Sequence, residues 1–381
     1  KVGSGTQTLA GGSITYTGAT TVNAGTLYLN DATAYVSPTL VNAGATLVTG
    51  GVSTDDLTTT TLTLDGGTYV HATTGVGDAW RVWTSLVTIN AGGGTINLDN
   101  GRGQSTNNNN LYLDGGLAGS GTLTVNATNM FNSNNGLVLR RGTYTFTGPT
   151  VVNSGIIWIN NNSGAGGSLA LASSDVTLNA AGNLRLDLQP SGGAASNATL
   201  KSLSGSGTVT LGSQTLTVGN NNGTGSFSGM IQGAGSLTKI GTGIQTLSGS
   251  TTFTGVTTVS SGTLVLANTF ALQNSTLTIT PTSSVVFDQS VSSAAFTVGG
   301  LTGSGTLGLQ NNAGSPGAVA LTVGNNNTTS SFAGSLTGFG SLLKIGTGRF
   351  TITGTSSYAG TTTLSGGQLR LSSTMALPGG I

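Results

Sequence analysis

"SLTKIGTG", Ser236 to Gly243, returns as "SLLKIGTG", Ser341 to Gly348, and the chain itself opens on "KVGSG", Lys1 to Gly5. Lys239 and Lys344 are two of only four lysines in 381 residues. A lysine among glycines has two readings. It is a phosphate cradle, or it belongs to a structural repeat. A phosphate loop needs Gly directly before the Lys and Ser or Thr directly after it. Here Thr238 or Leu343 precedes, and Ile240 or Ile345 follows. Gly233-Ala-Gly235 is an equally poor dinucleotide fingerprint, because no helical pattern follows it. The register around the lysines decides for the repeat. "LTVGNNN" at Leu216 to Asn222 returns at Leu321 to Asn327, at the same 105-residue offset that separates the lysines. Phe227 maps to Phe332, Gly233 to Gly338, Phe253 to Tyr358, Gly255 to Gly360, and Leu264 and Leu266 to Leu369 and Leu371. Agreement over such a length at one offset is an internal duplication.

Weaker copies extend the pattern. "TYTGATTVNAGTLYL", Thr15 to Leu29, matches "TFTGVTTVSSGTLVL", Thr252 to Leu266, and "TFTGPTVVNSGIIWI" runs from Thr145 to Ile159 without the lysine lead. Inside the modules lies a shorter unit of Gly, any residue, apolar, any residue, apolar. It begins at Gly25, Gly94, Gly121, Gly155, Gly182, Gly207, Gly262, Gly305 and Gly367. Glycine permits the positive φ of a tight turn. The two apolar side chains that follow share one strand face. The residue between them varies (Tyr28, Asn97, Thr124, Trp158, Arg185, Arg370), as an outward position should.

Short alternating strands punctuated by Gly and Asn, with no helical pattern between them, predict an all-β chain. A sandwich or barrel requires antiparallel pairing. Homogeneous small repeats favour a β-solenoid, in which each strand stacks on its copy in the next coil. Asn runs at 107–110, 160–162, 220–222 and 325–327 are expected at its turns, as left-handed residues and amide ladders. The expected organisation is one continuous solenoid over 1–381, with modules 1–135 (divergent, with an inserted loop near 51–104), 136–232, 233–337 and 338–381. Coils of about 20 residues rising about 4.8 Å each would make a rod on the order of 90 Å long.

Composition narrows the function. Charged residues make up 6% of the chain, so strong electrostatic partners are not expected, and a net charge of +1 speaks against nucleic acid and an electrostatic membrane anchor. No apolar run reaches the roughly 18 residues of a membrane span. Cysteine is absent. Disorder, the competing reading of 65 glycines, is countered by hydrophobic residues spread evenly in strand-like runs.

The segments Phe227 to Leu266 and Phe332 to Leu371 resemble the autotransporter-associated β-strand repeat, also called the passenger-associated transport repeat. Residues 1–29 match its second half. The resemblance implies a right-handed parallel β-helix in a secreted or surface-displayed bacterial protein, where such repeats accompany efficient secretion and folding and are not catalytic motifs. The lysine is then structural, placed at a coil's edge with its stem over apolar neighbours.

Chemistry, if present, would lie in the least repetitive stretch. Asp55, Asp56, His71, Asp78, Trp80, Arg81 and Trp83 are the candidate carbohydrate contacts, and paired carboxylates could serve glycoside hydrolysis. Asp55 and Asp56 are adjacent, and Trp80 and Trp83 are three apart. In a regular strand each pair faces opposite sides, so the plainer reading is an inserted loop covering a hydrophobic edge. One His and scattered Asp offer no metal-ligand spacing. The expectation is therefore a non-enzymatic extracellular or cell-surface solenoid without cofactor or metal, acting as a rigid stalk, surface-layer element or filament segment. The alternative is a carbohydrate-binding or polysaccharide-degrading β-helix with a site near 55–83. Both ends resemble cut surfaces of a continuing solenoid. The expected partners are further repeats of the same chain or a second copy head to tail, and surface glycans, but not nucleic acid.

Overall fold

The computed structural model describes residues 1–12, 14–30, 32, 34–50, 60–72, 81–99, 110–128, 136–160, 169–187 and 194–371. They fold without an α-helix, as short strands stacked in parallel. Two compact units divide the chain, Lys1–Leu200 and Lys201–Ile381. Each is a β-solenoid.

In the first unit one stack runs through Thr6–Ala10, Gly25–Asn30, Ala45–Gly50, Gly67–Ala72, Gly94–Asp99, Leu123–Thr128, Thr150–Ile159 and Asp175–Arg185. A second runs from Thr20–Val22 through Thr39–Asn42, Leu62–Asp65, Val87–Ile89 and Gly116–Gly119 to Thr143–Tyr144. Side chains alternate along each strand, so equal positions of successive coils form inward rows. Leu27, Leu47, Tyr69, Ile96, Val125, Val152 and Leu178 make one such row, all buried. In the second unit Leu216, Leu237, Thr257, Leu277 and Leu301 do the same. The register steps are not uniform. Ile244 pairs with Thr263, 19 residues on, whereas Gly94 pairs with Leu123, 29 residues on.

The glycine that opens each short unit has two separate reasons to be there. At Gly25, Gly155, Gly262 and Gly367 the backbone φ is positive, between +66° and +87°. At Gly121 and Gly182 the expected positive φ is not found. There a Cβ would lie 1.7 Å from Asn90 O and 2.3 Å from Val152 O, so the neighbouring coil's backbone excludes a side chain.

An amide ladder exists, but among the described residues it does not run through the asparagine runs. Asn126 donates its Nδ2 to Asn97 Oδ1 at 2.9 Å, Asn153 to Asn126 at 2.9 Å, and Asn179 to Asn153 at 2.6 Å. Asn97 and Asn126 are paired in register, and Asn153 and Asn179 each follow a paired inward residue, Val152 and Leu178, on the next two strands. The runs at 220–222 and 325–327 do another job. Asn222 and Asn327 adopt positive φ, near +60°, and their Oδ1 atoms accept from Thr242 N at 2.9 Å and Thr347 N at 3.0 Å in the following coil. A side chain bent into the left-handed turn reaches the next coil's backbone rather than its own copy. Asn107 to Asn109, Asn161 and Asn162 lie outside the described residues.

Leu178 and Asn179 are neighbours with opposite duties, one in the interior row and one a ladder rung. Leu178→Ala is expected to cost about 2–5 kcal/mol through lost burial and cavity. Asn179→Ala should cost about 0.5–1.5 kcal/mol, the net value of a hydrogen bond at an exposed edge. Urea denaturation of both variants checks this, and equal losses would contradict the register.

Candidate functional site

The repeated lysine lies inside the solenoid. Alternation along Ser236–Lys239 turns Leu237 and Lys239 inward, and Lys239 stands in the row between Val218 and Val259. Its side chain is fully buried, as is that of Lys344, between Val323 and Leu364. The edge position expected from the sequence is therefore corrected. The cause is the turn that follows. Gly241, at φ +66°, folds the backbone back so that its own carbonyl and that of Ile240 meet the ammonium. Lys239 Nζ donates to Ile240 O at 2.7 Å, to Gly241 O at 3.0 Å and to Ser261 O, from the next coil, at 3.4 Å. Lys344 Nζ donates to the equivalent carbonyls of Ile345, of Gly346 at 3.1 Å and of Gly366 at 3.2 Å. Lys1 Nζ does so to Val2 at 3.1 Å, Gly3 at 2.6 Å and Ala24 at 3.0 Å. One ammonium thus fastens a turn to the coil that follows it, three times over.

Glycines make the space. A Cβ on Gly219 or Gly262 would stand 3.1 Å or 2.8 Å from Lys239 Nζ, and one on Gly324 3.1 Å from Lys344 Nζ. The positive-φ glycine after each clamp repeats too. A Cβ on Gly25, Gly262 or Gly367 would come within 2.4, 2.3 or 2.5 Å of the nearest carbonyl oxygen of the preceding turn. The partners are carbonyls rather than a carboxylate, and burial pulls the pKa of Lys239 and Lys344 below the ordinary lysine value. Such a site holds a charge in place. It offers no cradle for a phosphate, since the ammonium's donors are spent on the backbone.

Of the residues singled out between 55 and 83, Asp55, Asp56, Asp78 and Trp80 lie outside the described residues. His71 is buried on the inward face of Gly67–Ala72, in register with Thr49 and Leu98. Trp83 is buried as well, edge-to-face with Tyr69 at 5.7 Å, and Tyr69 Oη lies 2.7 Å from Thr49 Oγ1. Arg81 opens the strand Arg81–Trp83, opposite Leu111. Asp65 Oδ1 accepts from Gly92 N at 2.9 Å, a turn-to-turn tie. Among the described residues, no three His, Asp or Glu side chains gather as metal ligands would.

One assembly was missed from the sequence. Trp158, expected to face outward freely, is fully buried. It belongs to an outer row in the first unit, in register Val82, Tyr112, Val138, Trp158, Arg185, with Ile156 packed against it. Arginines close over the aromatic faces. Arg140 sits 3.9 Å above the Tyr112 ring and binds Asp114 through two contacts of 2.8 and 3.2 Å. Arg185 sits 4.3 Å above Trp158 and binds Asp187 at 3.0 and 2.6 Å. Cation–π contact and a fixed carboxylate hold each guanidinium over its ring. A sugar-stacking platform needs an open aromatic face, and these faces are occupied. The signal was present: "GLVL" and "GIIWI" do not alternate, as a strand buried on both faces does not.

Lys239→Met keeps the stem and leaves three carbonyls without their donor, so it should destabilise the second unit by about 1–3 kcal/mol. The lysine pKa is lower folded than unfolded, so the folded state releases its proton first. Stability of the native chain then rises with pH across the window below 10.5. The deficit of Lys239→Met should accordingly widen as pH rises towards that value. A deficit that narrows would mean an ion pair instead. Gly262→Ala, strained at positive φ and crowded by Gly241 O, should cost about 2 kcal/mol or more. Chemical denaturation at several pH values measures all three.

The model of the passenger-associated transport repeat matches residues 1–29, 136–159, 237–266 and 342–371. No curated protein and no solved structure matches the chain. Three of the matched segments include the clamp lysine at or near their start, and the fourth begins at the strand Gly136–Leu139, beyond the clamp's position. On a parallel β-solenoid, the passenger-associated transport repeat thus finds a match at four places along the chain.

Proposed function

We propose that the chain is a non-catalytic structural or adhesive solenoid of a secreted or surface-displayed bacterial protein. The observation that carries this reading is the coincidence of repeat and clamp. In three of its four copies the matched segment contains the lysine that ties one coil to the next. A repeat of this kind supports folding coil by coil, which suits a chain that must cross a membrane unfolded and fold outside. The duty of each coil is mechanical. It offers backbone donors and acceptors to the next coil and closes an apolar interior against water. The alternative of a carbohydrate-active site near 55–83 gains nothing from His71 and Trp83, whose side chains face the interior.

Fusing the chain between a secretory leader and a translocating outer-membrane β-barrel tests the reading. The native chain should reach the cell surface folded and resist added protease. Lys239→Met/Lys344→Met should reduce the protease-resistant fraction several-fold. The purified chain should depolymerise no polysaccharide. Turnover abolished by Asp55→Asn, Asp56→Asn or His71→Ala would overturn the non-catalytic reading, and failure of the native chain to be displayed would overturn the extracellular one.

A further inference from the structure

The two duplicated modules of the second unit serve as internal controls for each other. Where both copies keep a residue, the solenoid accounts for it. Where they differ, the fold does not require the difference. Two differences converge on one surface. "GSGT" at Gly205 to Thr208 matches Gly303 to Thr306 at an offset of 98, whereas "LTVGNNN" matches at 105. Seven extra residues therefore lie between Thr306 and Leu321. The second difference is Phe339, which stands in "GFG" where the other copy has Ala234 in "GAG". Phe339 is 57% exposed, so the core does not demand it.

The insertion forms a small hairpin. Gln310 and Ala318 bridge antiparallel, and Asn311 holds Gly317 through N to O at 3.0 Å and Gly317 N to Oδ1 at 2.8 Å. Asn312 fastens it to the preceding coil, accepting from Gln289 N at 2.8 Å and donating to Asp288 at 3.2 Å. Ala318 to Ala320, Phe339 and the 293–294 turn border a groove of about 300 Å³. Ser293 also borders an adjoining groove of about 320 Å³, which runs on to Phe270, itself 47% exposed. Ala294, on the wall between, holds φ at +44°, a conformation that a residue with a Cβ adopts at a cost. It places the Ala294 carbonyl to accept from Ala320 N at 2.9 Å and so fixes the hairpin's return strand against the groove.

The lining sets the chemistry of the occupant. It contains two exposed phenyl rings, six serines and threonines, and Asn268, but no Asp, Lys or Arg. A nucleic acid or charged peptide finds no counter-charge there. Strand addition has no edge, because Gly340 N and Ala320 N are already bonded to Leu309 O and Ala294 O. Rings for apolar C–H faces, surrounded by neutral hydroxyls and an amide, fit a ligand with both, in one uncharged molecule. We propose that this double groove binds a neutral oligosaccharide, with Phe339 and Phe270 as its stacking residues. This deepens the adhesive side of the function proposed above and rests on it for the kind of surface met, yet surface display can succeed while this site fails.

Titration calorimetry of the full chain with maltohexaose, cellohexaose, mannohexaose and xylohexaose tests it, with oligogalacturonate as the charged comparator. At least one neutral hexasaccharide should bind. Phe339→Ala, which restores the residue of the other copy, should keep the melting temperature and lose at least about tenfold in affinity, a free-energy change of about 1.4 kcal/mol. Phe270→Ser should act in the same direction. The proposal is overturned if none of the four binds, if oligogalacturonate binds more tightly, or if Phe339→Ala binds as well as the native chain. Concentration-dependent dimerisation that Phe339→Ala abolishes would also overturn it, by assigning the groove to a second copy.

Discussion

Each inward position of a coil lies directly beneath the same position of the next, and strand partners must meet at backbone hydrogen-bonding distance. That stacking constraint governs the rest. It leaves no room for a Cβ at Gly121 or Gly182, where the preceding coil's carbonyl already occupies the space. It lines up Leu27, Leu47, Tyr69, Ile96, Val125, Val152 and Leu178 as a continuous apolar row. It also turns the solvent side into a ladder wherever asparagines fall in register. The lysine clamp is the same constraint met by a charge. Turn carbonyls that curl inward need donors, and a long cationic side chain in the interior row supplies them.

A hydroxyl layer shows how the copies vary within that constraint. Where the aromatic shared by the copies (Tyr16, Phe146, Phe253, Tyr358) is tyrosine, its hydroxyl meets a threonine four residues on: Tyr16 with Thr20 at 2.6 Å and Tyr358 with Thr362 at 2.5 Å. The threonine of either kind of copy can also meet a serine of the next coil, as Thr20 meets Ser37 at 2.6 Å. Thr150 meets Ser174 and Thr257 meets Ser275, both at 2.8 Å. The buried hydroxyl is satisfied either way, so the repeat tolerates both aromatics.

The all-β class, the parallel stacking and the inward pairs such as Leu27 with Leu29 could be read from the chain, because a period of two survives any coil length. The lysine's place could not. A charge reads as surface, and only the returning turn at Gly241 or Gly346 makes the interior habitable for it. The ladder was hidden because its rungs, Asn97, Asn126, Asn153 and Asn179, are separated by unequal numbers of residues. Alternation alone places Trp158 outward, whereas the run of apolar residues around it fits burial on both faces. The groove at Phe339 shows only when the two modules are set against each other and the hairpin's return strand is placed in space.

The clamp has a consequence before folding as well as after it. Strands such as "TLTV" and "SLTK" are short, β-prone and nearly without charge, the composition that pairs strand to strand between unfolded chains. A lysine at the end of the strands Ser236–Lys239 and Ser341–Lys344 interrupts that sameness with repulsion while the chain is extended. Folding then draws the ammonium out of solvent and onto carbonyls of its own backbone. The same side chain is thus a gatekeeper against aggregation in the extended chain and a bolt in the folded one.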